Sequence, residues 1–318
     1  MPQPTVNDVH VDAVLTGISV AYMQNEASFV ASKVFPTVNV NKQSDLFYTY
    51  SQADFWRDQV EQRADGTESA GSGYGLSTDS YSASVYALHK DVADKVRANS
   101  DNPLNADRDA ANFLAQQMLI KMETDFVTNF FSAGIWTTDK TPSTLWDAAS
   151  GSDPIGDIQT GLNTVRAATG YTPNTLTLAH DVLAILKNHT DIVDRFKYTS
   201  SASVTTEMLA AVLGVERVLV EGAMTNTAVE GAAAAFTQLG VKDALLSYAP
   251  STPGLQQPSA GYNFNWTGLA NTGGFGTSQA VSTFRMDALK SDRIEIEAAW
   301  DLKLVSADLG YFFSNAIG

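Results

Sequence analysis

Cysteine is absent from this 318-residue chain. That single absence excludes disulfide staples, thiolate metal sites and cysteine nucleophiles together. Histidine is scarce, with only His10, His89, His180 and His189. No apolar run approaches the roughly 18 residues that a membrane-spanning helix needs. The opening Met1-Pro2-Gln3-Pro4-Thr5-Val6-Asn7-Asp8 has neither a basic region nor an apolar one, so no secretory signal is expected. Basic side chains are outnumbered, 20 against 35 acidic ones, for a formal net charge of -15. Tight nucleic-acid binding needs clustered Lys and Arg to neutralise phosphates, and this balance argues against it. An acidic wall can still enclose nucleic acid without gripping it.

What is present is first a coreless stretch rich in glycine and serine, from about Phe55 to Ser80. It contains Gly66-Thr67-Glu68-Ser69-Ala70-Gly71-Ser72-Gly73-Tyr74-Gly75. Strand-like sequence flanks it, Leu46-Phe47-Tyr48-Thr49-Tyr50 before and Tyr81-Ser82-Ala83-Ser84-Val85-Tyr86-Ala87-Leu88 after. Two strands with a long polar tip bury too little surface to stand alone. Such an arm makes sense lying on a neighbouring subunit. Trp56 strengthens the point, because a large aromatic on a coreless arm needs a cover. Arg57, Glu61, Arg63 and Glu68 share the arm; they read equally well as a wet loop or as intersubunit ion pairs.

A long helix follows. Asn102 suits the N-cap and Pro103 the first helical position. Leu114, Met118, Met122, Phe126 and Phe130 recur at spacings of four, widened by Phe113, Ile120 and Val127. With Gly134 as its stop, about 30 residues make a rod of about 45 Å. Upstream, residues 1 to about 40 read as an extended arm with one amphipathic segment (Val14, Leu15, Ile18, Tyr22, Met23) and a strand at Val34–Val40. Pro36 suits an edge there.

From about 150 to 250 short helices and strands alternate. Asp153-Pro154 opens a helix ending at Gly170, and Thr175–Leu178 is a strand. Asp181 and Thr190-Asp191 open two short helices, and Thr205-Thr206-Glu207 opens a third that ends at Gly214. Arg217–Glu221 and Asp243–Tyr248 are strands. Residues 250–280 are loop-rich, with Pro250, Pro253, Pro258 and Gly273-Gly274-Phe275-Gly276. Ser282–Met286, Arg293–Ala298 and Leu302–Val305 alternate with period two and suggest an antiparallel sheet.

Chemical motifs are weak. The chain has no nucleophile elbow and no P-loop. Gly71-Ser72-Gly73-Tyr74-Gly75 is followed by strand, not by the helix N-terminus that would receive phosphate. His180 and His189 lie near Asp181, Asp191 and Asp194, yet nine residues is not the spacing that puts two ligands on one helix face. They read as surface or capping histidines. No catalytic, cofactor or metal residue is expected, and the chain is read as a non-enzyme.

The order of elements resembles the HK97-type major capsid protein of tailed bacteriophages: an extended N-arm, a long hairpin, a spine helix, an α/β block and closing strands. The wording of Tyr86-Ala87-Leu88-His89-Lys90-Asp91-Val92-Ala93-Asp94 and of Ala298-Ala299-Trp300-Asp301-Leu302-Lys303 is similar to that of phage capsid proteins. The resemblance covers nearly the whole chain and implies an α+β, HK97-like fold. Its parts would be an N-terminal arm (1–44), an E-loop hairpin (45–88), a P-domain with the spine (89–149 and 281–318) and an A-domain (150–280). It further implies hexamers and pentamers on an icosahedral shell around double-stranded DNA, assembled in the host bacterial cytoplasm. Trp56, Arg57, Glu61, Arg63, Glu68 and Tyr74 would be intersubunit contacts. Partners would be the chain itself, a portal protein, a separate scaffolding protein, since the arm begins close to Met1, and, as an optional addition, a decoration or cement protein. No cofactor and no membrane are implied. Some relatives cross-link through a loop lysine; residues 55–81 contain none, so no cross-link is expected. An encapsulin-like nanocompartment of the same fold is the competing reading.

Overall fold

The computed structural model describes residues 23–100, 105–196, 204–254, 256–268 and 280–318. The expected cap at Asn102-Pro103, the amphipathic segment before Met23 and the Gly273–Gly276 loop lie outside them.

After the short helix α3 (Asp94–Asn99), the apolar stripe at spacings of four builds α4 (Ala106–Phe130). The Asn105 side chain accepts the Arg108 amide at 3.1 Å, and Asp107 and Asp109 in the first turn complement the helix dipole. Ala110, Leu114, Met118, Met122 and Phe126 are buried on one face. At 25 residues the rod is about 37 Å long, shorter than expected. It stops at Phe130, ahead of Gly134, which occupies the left-handed region at φ 86° in the turn beyond.

This helix lies on the first sheet, whose central strand is β13 (Ser291–Leu304). β4 (Ser84–Ala93) pairs with it antiparallel on one side. On the other side β13 pairs antiparallel with β12 (Ala280–Met286) along its first half and with β11 (Gly261–Trp266) along its last residues, and β1 (Thr37–Val40) runs parallel to β11 at the edge. Ile294, Ile296, Ala298 and Trp300 are buried in the same core as the α4 stripe, and Tyr86 stacks on Trp300 at 4.1 Å. The two strands expected at 293–298 and 302–305 are one. Ala298, Ala299 and Trp300 are buried consecutively, so alternation lapses without the strand ending. β11 sits in the stretch expected to be loop. Its buried Asn263 and Asn265 hide the period; they donate to Thr37 Oγ1 and Asn39 Oδ1 at 3.3 and 2.9 Å. The strand expected to begin at Val34 begins at Thr37, because Val34 closes the short helix α1 (Ala31–Val34).

The second sheet runs β5 (Thr138–Lys140), β14 (Gly310–Phe313), β10 (Ala244–Ser247), β6 (Thr175–Ala179), β7 (Arg217–Glu221). Strands β6, β10 and β14 are buried along their whole length. Helices α5 (Pro154–Thr169), α6 (His180–Asn188), α7 (Thr190–Phe196) and α8 (Thr206–Leu213) belong to this block, near the expected starts. Asp153 and Thr205 cap α5 and α8 through their side chains, and Gly170 and Gly214 end them with φ of 71° and 77°. A small hairpin, β8 (Met224–Asn226) with β9 (Phe236–Gln238), projects beyond β7.

The arm is β2 (Ser44–Tyr50) paired antiparallel with β3 (Leu76–Ser82), with the one-turn helix α2 (Gln52–Phe55) beyond β2. This corrects the expected partner strand. Tyr81–Leu88 spans a change of sheet at Ala83, which exchanges hydrogen bonds with Gln43. The arm's second strand is the polar Leu76–Ser82, which has no apolar period because its outer face is not buried within the chain.

Candidate functional site

Alternation along β2 sorts its side chains. Phe47 packs inward, while Leu46, Tyr48 and Tyr50 are 60%, 65% and 40% exposed. Leu76, opposite Tyr50 on β3, is 52% exposed and extends this face. At the tip, Tyr50, Phe55 and Tyr74 form a ring cluster with centroids 5.5–5.8 Å apart. Asp54 accepts the Gly75 amide at 2.8 Å, a bond that holds its carboxyl below the usual range. Trp56 is half-exposed and Val60 almost fully exposed. So contiguous an apolar surface on a two-stranded ribbon marks an interaction site.

Two anchors hold the arm to its own body. At the root, Tyr81 stacks on Phe264 at 4.6 Å, and Phe47 meets the same ring at 5.4 Å. With Tyr262, Val38, Val40 and Val305 they form a satellite core separate from the main one. At the tip, Gln52 donates to the Ala168 carbonyl at 2.7 Å, and the Trp56 ring lies against Gly170.

The six expected contact residues therefore divide. Tyr74 joins the ring cluster and Trp56 leans on the α5 terminus. Arg57 is 3.9 Å from Asp54, Arg63 donates to the Thr67 carbonyl of its own loop, and Glu61 and Glu68 are exposed. The structure gathers the aromatics and leaves these charges dispersed. Leu46, Tyr48, Tyr50 and Phe55 were missed as site residues, although the alternation from Leu46 to Tyr50 carried the signal.

His180 is exposed beside Asp181. His189 is buried: its Nδ1 accepts the Asp191 amide at 3.3 Å, so the proton resides on Nε2 and is donated to Ser152 Oγ at 2.9 Å. Ser152 in turn donates to the Ala148 carbonyl. A serine nucleophile needs an imidazole that takes its proton, and this one gives. His189 is a capping residue of α7. Among the described residues no cluster of three or more His, Asp or Glu is arranged to hold a metal, and no helix is long and apolar enough to cross a membrane.

One chemical feature was invisible in the sequence. Glu123, inside the α4 stripe, and Glu221, at the end of β7, are 1% and 0% exposed. Glu123 Oε2 accepts the amides of Val30 and Ala31 at 2.9 and 3.0 Å. Glu221 accepts Ala223 and Gly240 at 3.1 and 2.8 Å. Burial pushes Glu123 up to about 7; burial, then the charge of Glu123, pushes Glu221 up to about 8.

No protein-family model matches the chain. It is 24% identical over 317 residues to a "Major capsid protein" of the Burkholderia phage BcepMu, covering 97% of each chain. A phage-related protein from Bordetella bronchiseptica RB50 superposes with a TM-score of 0.69 at 22% identity, over 92% of this chain and 93% of that one. The capsid structure of cyanophage P-SCSP1u gives 0.63 at 9% identity, over 98% and 94%. The SrpI encapsulin of Synechococcus elongatus PCC 7942 gives 0.54 at 12%, over 95% and 93%.

Proposed function

We propose that this chain, a phage major capsid protein with the HK97-type fold, closes its shell as hexamers and pentamers in which each arm lies across the neighbouring subunit. The observation that carries the reading is the arm face itself. Leu46, Tyr48, Tyr50, Phe55, Tyr74 and Leu76 stand 40–65% exposed on a ribbon that buries little within its own chain. In a protein built of many copies of itself, a second copy is the cover always at hand. Length-wide similarity to a phage major capsid protein supports the same reading.

In this proposal residues 45–88 are the overlapping E-loop, 150–280 surround the capsomer axis, and 89–149 with 281–318 meet neighbours at the local symmetry axes, with 1–44 as the N-terminal arm. The shell encloses double-stranded DNA without sequence-specific grip, in keeping with the net charge of -15. Assembly in the host cytoplasm, a portal, a separate scaffolding protein and a decoration protein are further parts of it. A loosely packed precursor would convert to a larger, thinner shell as DNA enters, through interfaces with two alternative packings.

The test is deletion of residues 66–75, scored by negative-stain electron microscopy and circular dichroism. The expected outcome is a folded subunit that makes no stable shells; normal shells would remove the arm's role. The fold likeness to an encapsulin supports the nanocompartment as the second reading. Purified particles separate the two by content: nuclease-protected DNA favours the capsid, a packaged enzyme the nanocompartment.

A further inference from the structure

Three pieces of chain converge around Glu123 and Glu221. The segment 24–31 arrives from the N-terminal side. Gln24 exchanges two hydrogen bonds with the Met224 backbone at 2.6 and 2.8 Å, and the Ser28 carbonyl accepts the Gly222 amide at 3.3 Å. Val30 and Ala31 then give their amides to Glu123 on the spine. The turn after β7 supplies Glu221, whose two oxygens hold Ala223 and Gly240. The second oxygen of Glu123 is buried and accepts no hydrogen bond.

Charges facing the pair from the packed elements are few. Lys33 on α1 acts on Glu123, but more weakly than burial, and its ammonium donates to the Ala27 carbonyl at 3.3 Å. Arg217 on β7 is committed to Thr175 Oγ1 and to the Lys33 carbonyl. Phe131 closes the side toward Gly240. Two carboxylates buried together cannot both ionise without a compensating cation, so the arrangement in which one of them keeps its proton is the stable one.

We propose that Glu123 and Glu221 are a proton-dependent clasp that fastens residues 24–31 to the spine and the β7–β8 turn, and that loss of the last proton releases that segment. The direction follows from charge. With one proton present, an ionised oxygen receives the Val30 and Ala31 amides while its neighbour stays neutral. With none, two like charges oppose each other in a dry site. Burial pushes both groups into the neutral range, so the change falls in the pH range of cells. The proposal does not depend on the shell reading, since every group lies in one chain.

The test is amide hydrogen exchange of the purified full-length protein from about pH 6 to about pH 9, with labelling times scaled for the intrinsic pH dependence of exchange. Protection of peptides spanning 24–35 is expected to fall about tenfold or more, the change that one unit of pKa difference between clasped and released states produces. Peptides from β6 and β10 should hold their protection. E221Q removes one of the two charges and should lessen the fall, and E123Q/E221Q, which titrates at neither position, should keep 24–35 protected throughout. Flat protection of 24–35 in the unsubstituted protein overturns the clasp, and so does an equal loss in β6. Should E221Q not fold, the profile of the unsubstituted protein decides alone.

Discussion

Replacing Phe264 by alanine should free the arm and leave the body folded. Phe264 is 6% exposed and is the common partner of Tyr81, Phe47 and Tyr262. Truncating a buried phenylalanine costs about 3–5 kcal/mol, and each lost ring pair belongs to the upper part of that range. A two-stranded ribbon is marginal by itself. The remaining ties are the hydrogen bonds from Gln52 to the Ala168 carbonyl and from the Ser82 amide to Asp301, the part-exposed Lys303–Asp79 ion pair and the half-exposed Trp56; none of them replaces the buried rings. The main core, with Trp146, Phe312 and Phe313, contains none of these rings. Limited proteolysis should therefore cut F264A rapidly within 57–75, while its far-ultraviolet circular dichroism and β6 hydrogen exchange stay near those of the unsubstituted protein. L114A, in the main core, should do the reverse: lower global stability by about 2–5 kcal/mol with the arm cut no faster in the native state. Equal arm cleavage in F264A and the parent would refute the anchoring argument. Parallel loss of the whole fold would refute the independence of the satellite core.

Other outcomes follow from single contacts. G170A forces a side chain into a left-handed position at φ 71° and into the Trp56 ring, so about 1–2 kcal/mol of stability should be lost and acrylamide quenching of Trp56 should rise. R97A removes the fork that bridges Asp107 at 2.7 Å and Asp292 at 2.6 Å; with the arginine one-third exposed, the expected loss is about 1 kcal/mol and should largely vanish in 1 M salt in denaturant titrations. The buried glutamates set a pH slope. Their folded values lie above the ordinary glutamate range, so the stability they lend is complete below about pH 4.5 and is lost as pH rises through about 7 and about 8. Calorimetry should show Tm falling from about pH 6 to about pH 9, and E123Q/E221Q should flatten that slope; a Tm that rises over this range would contradict the assignment.

Local chemistry was legible wherever a single residue type decides an element boundary. Asp153 and Thr205 as caps and Gly170 and Gly214 as left-handed ends could be read directly, as could the stripe Leu114 to Phe126. The reading failed where burial departs from simple periodicity. β3 is polar because its outer face is not buried within the chain, β11 carries buried asparagines that pair with β1, and β13 is covered on both faces at Ala299. At the candidate site, Trp56 stood out as an aromatic with no core of its own, and Tyr74 entered only among the contacts the resemblance implies. Nothing in the sequence says that Arg57 turns back to Asp54. The Glu123–Glu221 pair was beyond reach: a glutamate one residue after Met122 looks like the edge of a stripe, and it is residues 24–31, laid against both the spine and the end of β7, that link the two sites.

The arm's two anchors differ in what could replace them. The root buries three rings against one another and continues into the β1–β11 edge of the main sheet, so no neighbour can supply its contacts without unpairing that edge. The tip has only the Gln52 hydrogen bond, worth about 0.5–1.5 kcal/mol, and one face of Trp56. Fully burying a large apolar side chain contributes about 1.5–3 kcal/mol, and Leu46, Tyr48, Phe55 and Leu76 each still expose more than half their surface. A neighbour covering that face gains on the order of 5 kcal/mol before association costs, several times what the tip clasp supplies. In the proposed shell a neighbour would therefore pull the tip from α5 while the root stays fixed, with the strands between serving as lever, and Trp56 would exchange one cover for another, whereas Phe264 would keep the cover it has.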